Sequence, residues 1–328
     1  MKNKYRNIFL AFGIVAVLIM IFTFDMDYQE LWANLKRAGV YLPLVLLLWL
    51  FVYLINTTSW YIIIRSGGKP GFSFARLYKF TVTGFALNYV TPVGLMGGEP
   101  YRIMELKPYI GVERATSSVI LYVMMHIFSH FCFWLSSVLL YLCLYPVGWV
   151  MGTILGTITV FCLLVAMLFV KGYQHGMAVA FVRLGSHLPF LKKKVIRFAD
   201  SHREQLENID KQIALLHQQK KGAFYAALFL EYTARVVSCL EIWLILNVLT
   251  RSVSFADCCL IAAFSSLLAN LLFFLPMQLG AREGGFALAV GGLSLSGAYG
   301  VYAALITRVR EMVWIVIGLA LMKVGNKK

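Results

Sequence analysis

"LNYVTPVGLMGGEPYR" occupies residues 87–102 of a 328-residue chain in which 60% of residues are hydrophobic. A helix crossing a membrane here would need only apolar side chains, yet the stretch carries Pro92, Gly94, Gly97, Gly98, Glu99, Pro100 and Arg102. Proline removes a backbone donor and clashes with a continuing helix, while glycine permits a tight reversal, so the spacing predicts that the chain turns here. Glu99 and Arg102 then call for a polar cavity, because ionisable groups at membrane depth are costly and normally face one.

A second stretch, "LPMQLGAREGG" at 275–285, is built the same way, with Pro276, Gly280, Arg282 and Glu283. Ser73-Phe74-Ala75 precedes the first stretch and Ser254-Phe255-Ala256 the second, and in each copy the glutamate lies seven residues after the proline. Three matching residues alone carry little weight. The shared order carries more: long span, Ser-Phe-Ala, apolar run, proline, glycines, glutamate.

Working outward, mean hydropathy is +0.75 and only 14% of residues are charged. Several apolar runs reach the roughly twenty residues that cross a ~30 Å hydrocarbon core. Strand-period alternation is absent, which excludes an outer-membrane barrel. The fold class is therefore an all-α polytopic membrane protein, read as one integral-membrane domain over 1–328. Six full spans are predicted, at 7–24, 41–64, 117–142, 148–171, 222–249 and 300–323; two interrupted segments, 72–98 and 254–298, read as re-entrant hairpins. The opening residues, with Lys2, Lys4 and Arg6 before an apolar core, resemble a signal peptide but show no small-residue cleavage site and read as a retained first span.

The formal charge of +15 would point to nucleic acid in a soluble protein, but here the Lys and Arg lie between apolar runs. With a cytoplasmic N terminus, twenty-three of the thirty Lys and Arg fall on the cytoplasmic side, only Lys36, Arg37 and Arg251 fall outside, and Arg235, Arg282, Arg308 and Arg310 lie at membrane depth. This asymmetry predicts both termini in the cytoplasm of a bacterial inner-membrane protein. Between the fourth and fifth spans, Val195, Phe198, Leu206, Ile209, Ile213 and Leu216 recur at helical spacing after Lys192, Lys193 and Lys194. Residues 190–221 thus read as an amphipathic helix lying on anionic inner-leaflet lipid.

In this topology the first interrupted segment enters from the cytoplasm and the second from outside. Residues 41–115 and 222–299 then form an inverted repeat, the arrangement in which interrupted segments mark a transporter's central site. Kinked spans whose glycines serve close packing would explain the glycines. They would not explain Glu99, Arg102, Arg282 and Glu283.

Other polar residues fall inside spans. Glu231 and Arg235 are four apart, which suits a local ion pair, with Glu241 deeper in; Arg308, Arg310 and Glu311 share the last span. His126 and His130 are one turn apart, but no third ligand of matching spacing follows, so they read as hydrogen-bonded packing residues and no metal is expected. "GGKPG" at 67–71 lacks the order of a phosphate loop and reads as a turn. The six cysteines lie mostly in apolar runs and read as small buried hydrophobes. No catalytic triad or nucleotide fingerprint can be assembled, so neither enzymatic activity nor a cofactor is expected.

Residues 87–102 and 275–285, followed by Arg308, resemble the transmembrane, flippase-like region of the lysylphosphatidylglycerol synthase family. Asn88, Pro92, Gly98, Glu99 and Arg102 match the first family motif, and Pro276, Gly280, Arg282 and Glu283 the second. Met277 and Gln278 stand where the family has a glycine pair, and the cytoplasmic aminoacyl-transferase domain is missing. The resemblance implies lipid translocation or a related lipid-carrier role, not lysine transfer. The candidate headgroup ligands are Asn88, Glu99, Arg102, Arg282, Glu283 and Arg308, with Glu231 and Arg235; Pro92, Gly94, Gly97, Gly98, Pro276 and Gly280 make the turns.

The expected partners are a membrane phospholipid or lipid-linked substrate and anionic lipid, not nucleic acid; a homo-oligomer stays open. Two other readings are an integral-membrane enzyme acting on a lipid or lipid carrier, with Glu99 or Glu283 as general base, and a non-transporting envelope scaffold suggested by the basic amphipathic helix.

Overall fold

In a computed structural model, the described residues are 28–90, 97–175, 207–208, 210–211, 221–250, 253–271, 281–293 and 295–323. Among them are ten principal helices: α1 Tyr28–Ala38, α2 Tyr41–Ser66, α3 Phe74–Val90, α4 Gly98–Ile110, α5 Val112–Leu144, α6 Trp149–His175, α7 Lys221–Leu246, α8 Phe255–Leu271, α9 Ala281–Gly292 and α10 Gly297–Leu321. No strand occurs among the described residues. Five of the predicted spans appear, as α2, α5, α6, α7 and α10. The span at 7–24, the body of the amphipathic segment 190–221 and the turn residues Pro92, Gly94, Pro276 and Gly280 lie outside the described residues.

Among the described residues, three helices are long and apolar enough to cross a membrane, within α2, α5 and α6. The reason α7 and α10 fall short is not length, at 26 and 25 residues, but the charges they bury: Glu231 and Glu241 in one, Arg308, Arg310 and Glu311 in the other. The connection left between the segments 72–98 and 117–142 is helical: α4 runs to Ile110, Gly111 breaks it at φ 82°, and α5 starts at Val112 rather than near 117. "GGKPG" is a turn as expected, with Gly68 at φ 124° and Arg114 Nη2 donating to the carbonyls of Ile64, at 2.8 Å, and Gly68, at 2.5 Å. The Ile64 carbonyl is one of the orphan acceptors in the last turn of α2, and the Gly68 carbonyl belongs to the turn that follows.

Two short helices flank each motif, α3 and α4 at the first and α8 and α9 at the second, and α4 lies almost wholly beyond the segment expected at 72–98. The 17 residues of α3 and of α8 span only about 25 Å at 1.5 Å per residue, short of the hydrocarbon core. The element order duplicates: α2, α3, α4, α5 have 26, 17, 13 and 33 residues, and α7, α8, α9, α10 have 26, 17, 12 and 25. Packing duplicates too. The contacts α2 on α3, α3 on α4 and α4 on α5 recur as α7 on α8, α8 on α9 and α9 on α10; α5 packs on α8 as α10 packs on α3, and α2 lies against α7.

One apolar core gathers Trp60, Phe80, Leu87, Tyr101 and Tyr122 around α2 to α5, and another gathers Val45, Ile242, Ile245, Phe286, Val290 and Ile306 around α2, α7, α9 and α10. Helix α4 lies so close on α3 that a Cβ at Gly98 would overlap the Gly84 carbonyl. Small residues give membrane helices this approach. Helix α6 is peripheral, with Leu163, Leu164, Met167 and Leu168 outward, as suits a lipid-facing surface.

Candidate functional site

The first motif folds into a hydrogen-bonded knot. Gly98, first residue of α4, donates its N–H to Asn88 Oδ1 at 2.7 Å, and Asn88 Nδ2 donates to Glu99 Oε1 at 2.9 Å. A carboxylate in the first turn of α4 also suits the positive end of the helix. Arg102 Nη1 approaches Glu99 Oε1 at 3.3 Å. Its guanidinium lies 4.8 Å from the Phe85 ring centroid, 5.2 Å from Tyr122 and 5.7 Å from Trp60. Arg102 is 1% exposed. Three aromatic faces and a neighbouring carboxylate satisfy this cation within the protein.

The second motif pairs with the last helix. Arg282 pairs with Glu311, and Arg308 Nε donates to Glu283 Oε1 at 3.1 Å, so α9 and α10 exchange an arginine and a glutamate each way. Arg310 reaches the other direction, to α7: its Nε and Nη2 donate to Glu241 Oε1 and Oε2 at 2.8 and 3.0 Å, a bidentate pair. Trp49 Nε1 donates to Glu241 Oε2 at 2.9 Å, and the Trp49 ring centroid lies 3.8 Å from Arg310. Glu311 thus serves two arginines, since Arg310 Nη1 is also 3.6 Å from its Oε1.

Glu231 and Arg235 do not pair with each other as their spacing suggested; both reach across to α5. Glu231 Oε2 lies 2.8 Å from His126 Nδ1. Arg235 donates through Nε to Ser129 Oγ and through Nη2 to the His126 carbonyl, each at 2.6 Å. The face they share is the one packed on α5, where partners on another helix lie closer than one turn along. His126 and His130 both lie on the cavity wall with rings edge to face, centroids 5.7 Å apart.

These groups line a partly open cavity of about 360 Å³. Its wall includes Arg235, Arg282, Arg308 and Arg310, with Glu231, Glu241 and Glu311. Of the eight sequence-predicted ligands, Asn88, Glu231, Arg235, Arg282 and Arg308 line it. Glu99, Arg102 and Glu283 do not: Glu99 is held by Asn88, Arg102 is caged by aromatic rings, and Glu283 accepts from Arg308. Gly97 and Gly98 begin α4 rather than bordering the cavity.

Sequence reasoning missed Trp49, Asn56 and Tyr89 on the wall. The polar cluster "NTTS" at 56–59, set in an apolar run, was the available signal for Asn56. Nothing in the sequence singled out Trp49, because its partners Glu241 and Arg310 are nearly two hundred residues or more away along the chain.

The pattern described as "Lysylphosphatidylglycerol synthase TM region" matches residues 8–319. No curated protein and no solved structure matches the chain. Apolar helices of membrane-crossing length, a buried charged cavity and a match over nearly the whole length agree on a multi-pass membrane protein with a lipid-related role. The chain belongs to the family of lysylphosphatidylglycerol synthase transmembrane regions.

Proposed function

We propose that the protein is a lipid translocator of the bacterial inner membrane, moving a phosphate-bearing headgroup through the cavity while the acyl chains stay in lipid. One observation carries this reading: four arginines converge on one cavity inside a bundle whose outer surface is apolar. Arginine offers phosphate oxygens a planar fork, and charges at this depth are retained where a substrate passes. The volume, about 360 Å³, is in the range of small-ligand pockets, roughly 300–1,000 Å³, and suits a headgroup rather than a whole phospholipid. The duplicated order of α2–α5 and α7–α10 supports an inverted repeat, with α3–α4 and α8–α9 as re-entrant pairs entering from opposite leaflets. The Lys and Arg asymmetry supports cytoplasmic termini.

The test is translocation of fluorescently labelled phosphatidylglycerol in liposomes holding the purified protein. Arg282→Ala combined with Glu283→Ala removes one charge of each sign and leaves Glu311 with Arg310, and Arg308 facing the cavity without its carboxylate. The double variant is expected to insert and fold but to lose translocation. Wild-type rates in the folded double variant overturn the site assignment.

The pairing of His126 with Glu231 on the cavity wall favours a second reading, an enzyme using His126 as general base on a lipid. Lipid mass spectrometry of a deletion strain separates the two. A missing lipid species supports the enzyme; unchanged species on the wrong leaflet support the translocator.

A further inference from the structure

We infer that each phosphodiester anion entering the cavity is accompanied by one proton, taken up by the His126–Glu231 pair. This rests on the phosphate-binding reading above and adds to it the protonation state and the coupling.

The cavity as it stands is charge-balanced. Four arginines, Arg235, Arg282, Arg308 and Arg310, face three carboxylates on the wall, Glu231, Glu241 and Glu311, and the fourth carboxylate, Glu283, is the ion-pair partner of Arg308. A phosphodiester carries one negative charge, so its entry leaves an uncompensated charge in a low-dielectric interior. One proton restores the balance.

The arginines cannot adjust, since guanidinium stays protonated. Glu241, Glu283 and Glu311 are each held by arginine. Glu231 differs, because its hydrogen-bond partner is an imidazole, a side chain that can take up a proton, and not a guanidinium. A carboxylate only accepts, so His126 carries its hydrogen on Nδ1 and presents the lone pair of Nε2. Both residues line the cavity, His126 with its side chain 28% exposed and Glu231 with its side chain 1% exposed. Proton uptake forms an N–H bond at Nε2 and gives an imidazolium between the Glu231 carboxylate and the incoming anion.

Two further atoms fit this role. Glu231 Oε1 and His130 Nδ1 are buried without a hydrogen-bond partner. Both are unsatisfied acceptors beside the pair, and the His126 and His130 ring centroids are 5.7 Å apart. The charged and titratable groups facing His126 are Glu231 and Arg235 from α7, Arg102 from α4, and His130 and Tyr122 of its own helix. Tyr122 in turn brings Glu99 of α4 within electrostatic range of the same cluster, and α3 contributes the Phe85 ring. Arg235 spends its hydrogen bonds on neutral acceptors, Ser129 Oγ and the His126 carbonyl, so a cation sits beside the pair without an arginine–carboxylate lock.

The experiment uses the full chain in detergent at low buffer strength with a pH-indicator dye, titrated with dihexanoyl phosphatidylglycerol. The expected result is uptake of roughly one proton per lipid bound, and affinity falling about tenfold per pH unit on the alkaline side. His126→Gln, checked for folding, should bind without uptake and with affinity flat in pH. Binding by the wild type without proton uptake overturns the coupling and leaves the lipid-binding reading standing. Uptake retained in folded His126→Gln overturns the assignment to this pair. An equal response to inorganic phosphate overturns the phosphodiester class, and no binding of the lipid at all overturns the underlying reading as well. If His126→Gln does not fold, the pH slope of the wild type decides the matter alone.

Discussion

Glu241→Gln is the most informative single perturbation. In the native protein Glu241 receives two bonds from Arg310, at 2.8 and 3.0 Å, and one from Trp49 Nε1 at 2.9 Å. The substitution keeps the shape but removes the charge, and the amide can accept at one oxygen only. Arg310 then has Glu311 alone, 3.6 Å away and already paired with Arg282. Two buried guanidinium groups compete for one carboxylate. Breaking a buried pair by removing one partner typically costs about 3–5 kcal/mol. Denatured membrane helices keep their backbone bonds and find other partners for polar groups, which places this case near the lower end, about 3 kcal/mol. Glu241→Leu with Arg310→Met removes both charges, and its cost should fall well below the sum of the single variants, because neither charge is left stranded. The assay is reversible unfolding in mixed micelles, with the four variants of the cycle compared under one condition. A cost below about 1 kcal/mol for Glu241→Gln, or strict additivity in the cycle, refutes the claim that this pair is a buried, mutually dependent unit.

Gly98→Ala places a methyl group into the Gly84 carbonyl and beside Asn88 Oδ1; overpacking of this kind costs about 1–3 kcal/mol, and a thermal melt equal to wild type contradicts the close approach of α3 and α4. Arg102→Lys keeps the charge but loses the planar stacking on Phe85, Tyr122 and Trp60; a loss of about 1–2 kcal/mol is expected in the same assay, and none is expected if the cage is incidental. Where α5 meets α8, Tyr145 donates to Asp257 Oδ1 at 2.5 Å, which together with burial pushes the phenol up to about 12. Since this lies above the ordinary value of about 10, the tie is fully present below about pH 10 and lost as pH rises toward 12. In Asp257→Asn the alkaline phenolate titration should shift by one tyrosine toward ordinary behaviour; a titration unchanged from wild type refutes the bond.

The helical spans were legible because membrane-crossing helices announce themselves through unbroken apolar runs: the segment at 41–64 became Tyr41–Ser66 almost unchanged. The proline and glycine residues from which the breaks at the two motifs are expected, Pro92, Gly94, Pro276 and Gly280, lie outside the described residues. The helix at 98–110 was not legible, because "GEPYRIMELKPYI" is too polar for a span and too irregular for an amphipathic stripe. The candidate site was half legible. Buried Arg and Glu stand out anywhere in an apolar chain, and five of the eight chosen residues line the cavity.

What the sequence determined by itself is the inventory: which segments enter the membrane, where they break, and which ionisable residues are carried to depth. Only the tertiary structure decided how those charges are spent. Arg102 is consumed by aromatic faces from α2, α3 and α5, and Arg310 by Glu241 of α7, while Arg235 finds neutral acceptors on α5 instead of Glu231 one turn away. The physical reason is that solvating a buried charge depends on every donor, acceptor and ring within a few ångströms, and those come from helices remote in the chain. Spacing along one helix reports a residue's face, and the partner on that face is set by packing.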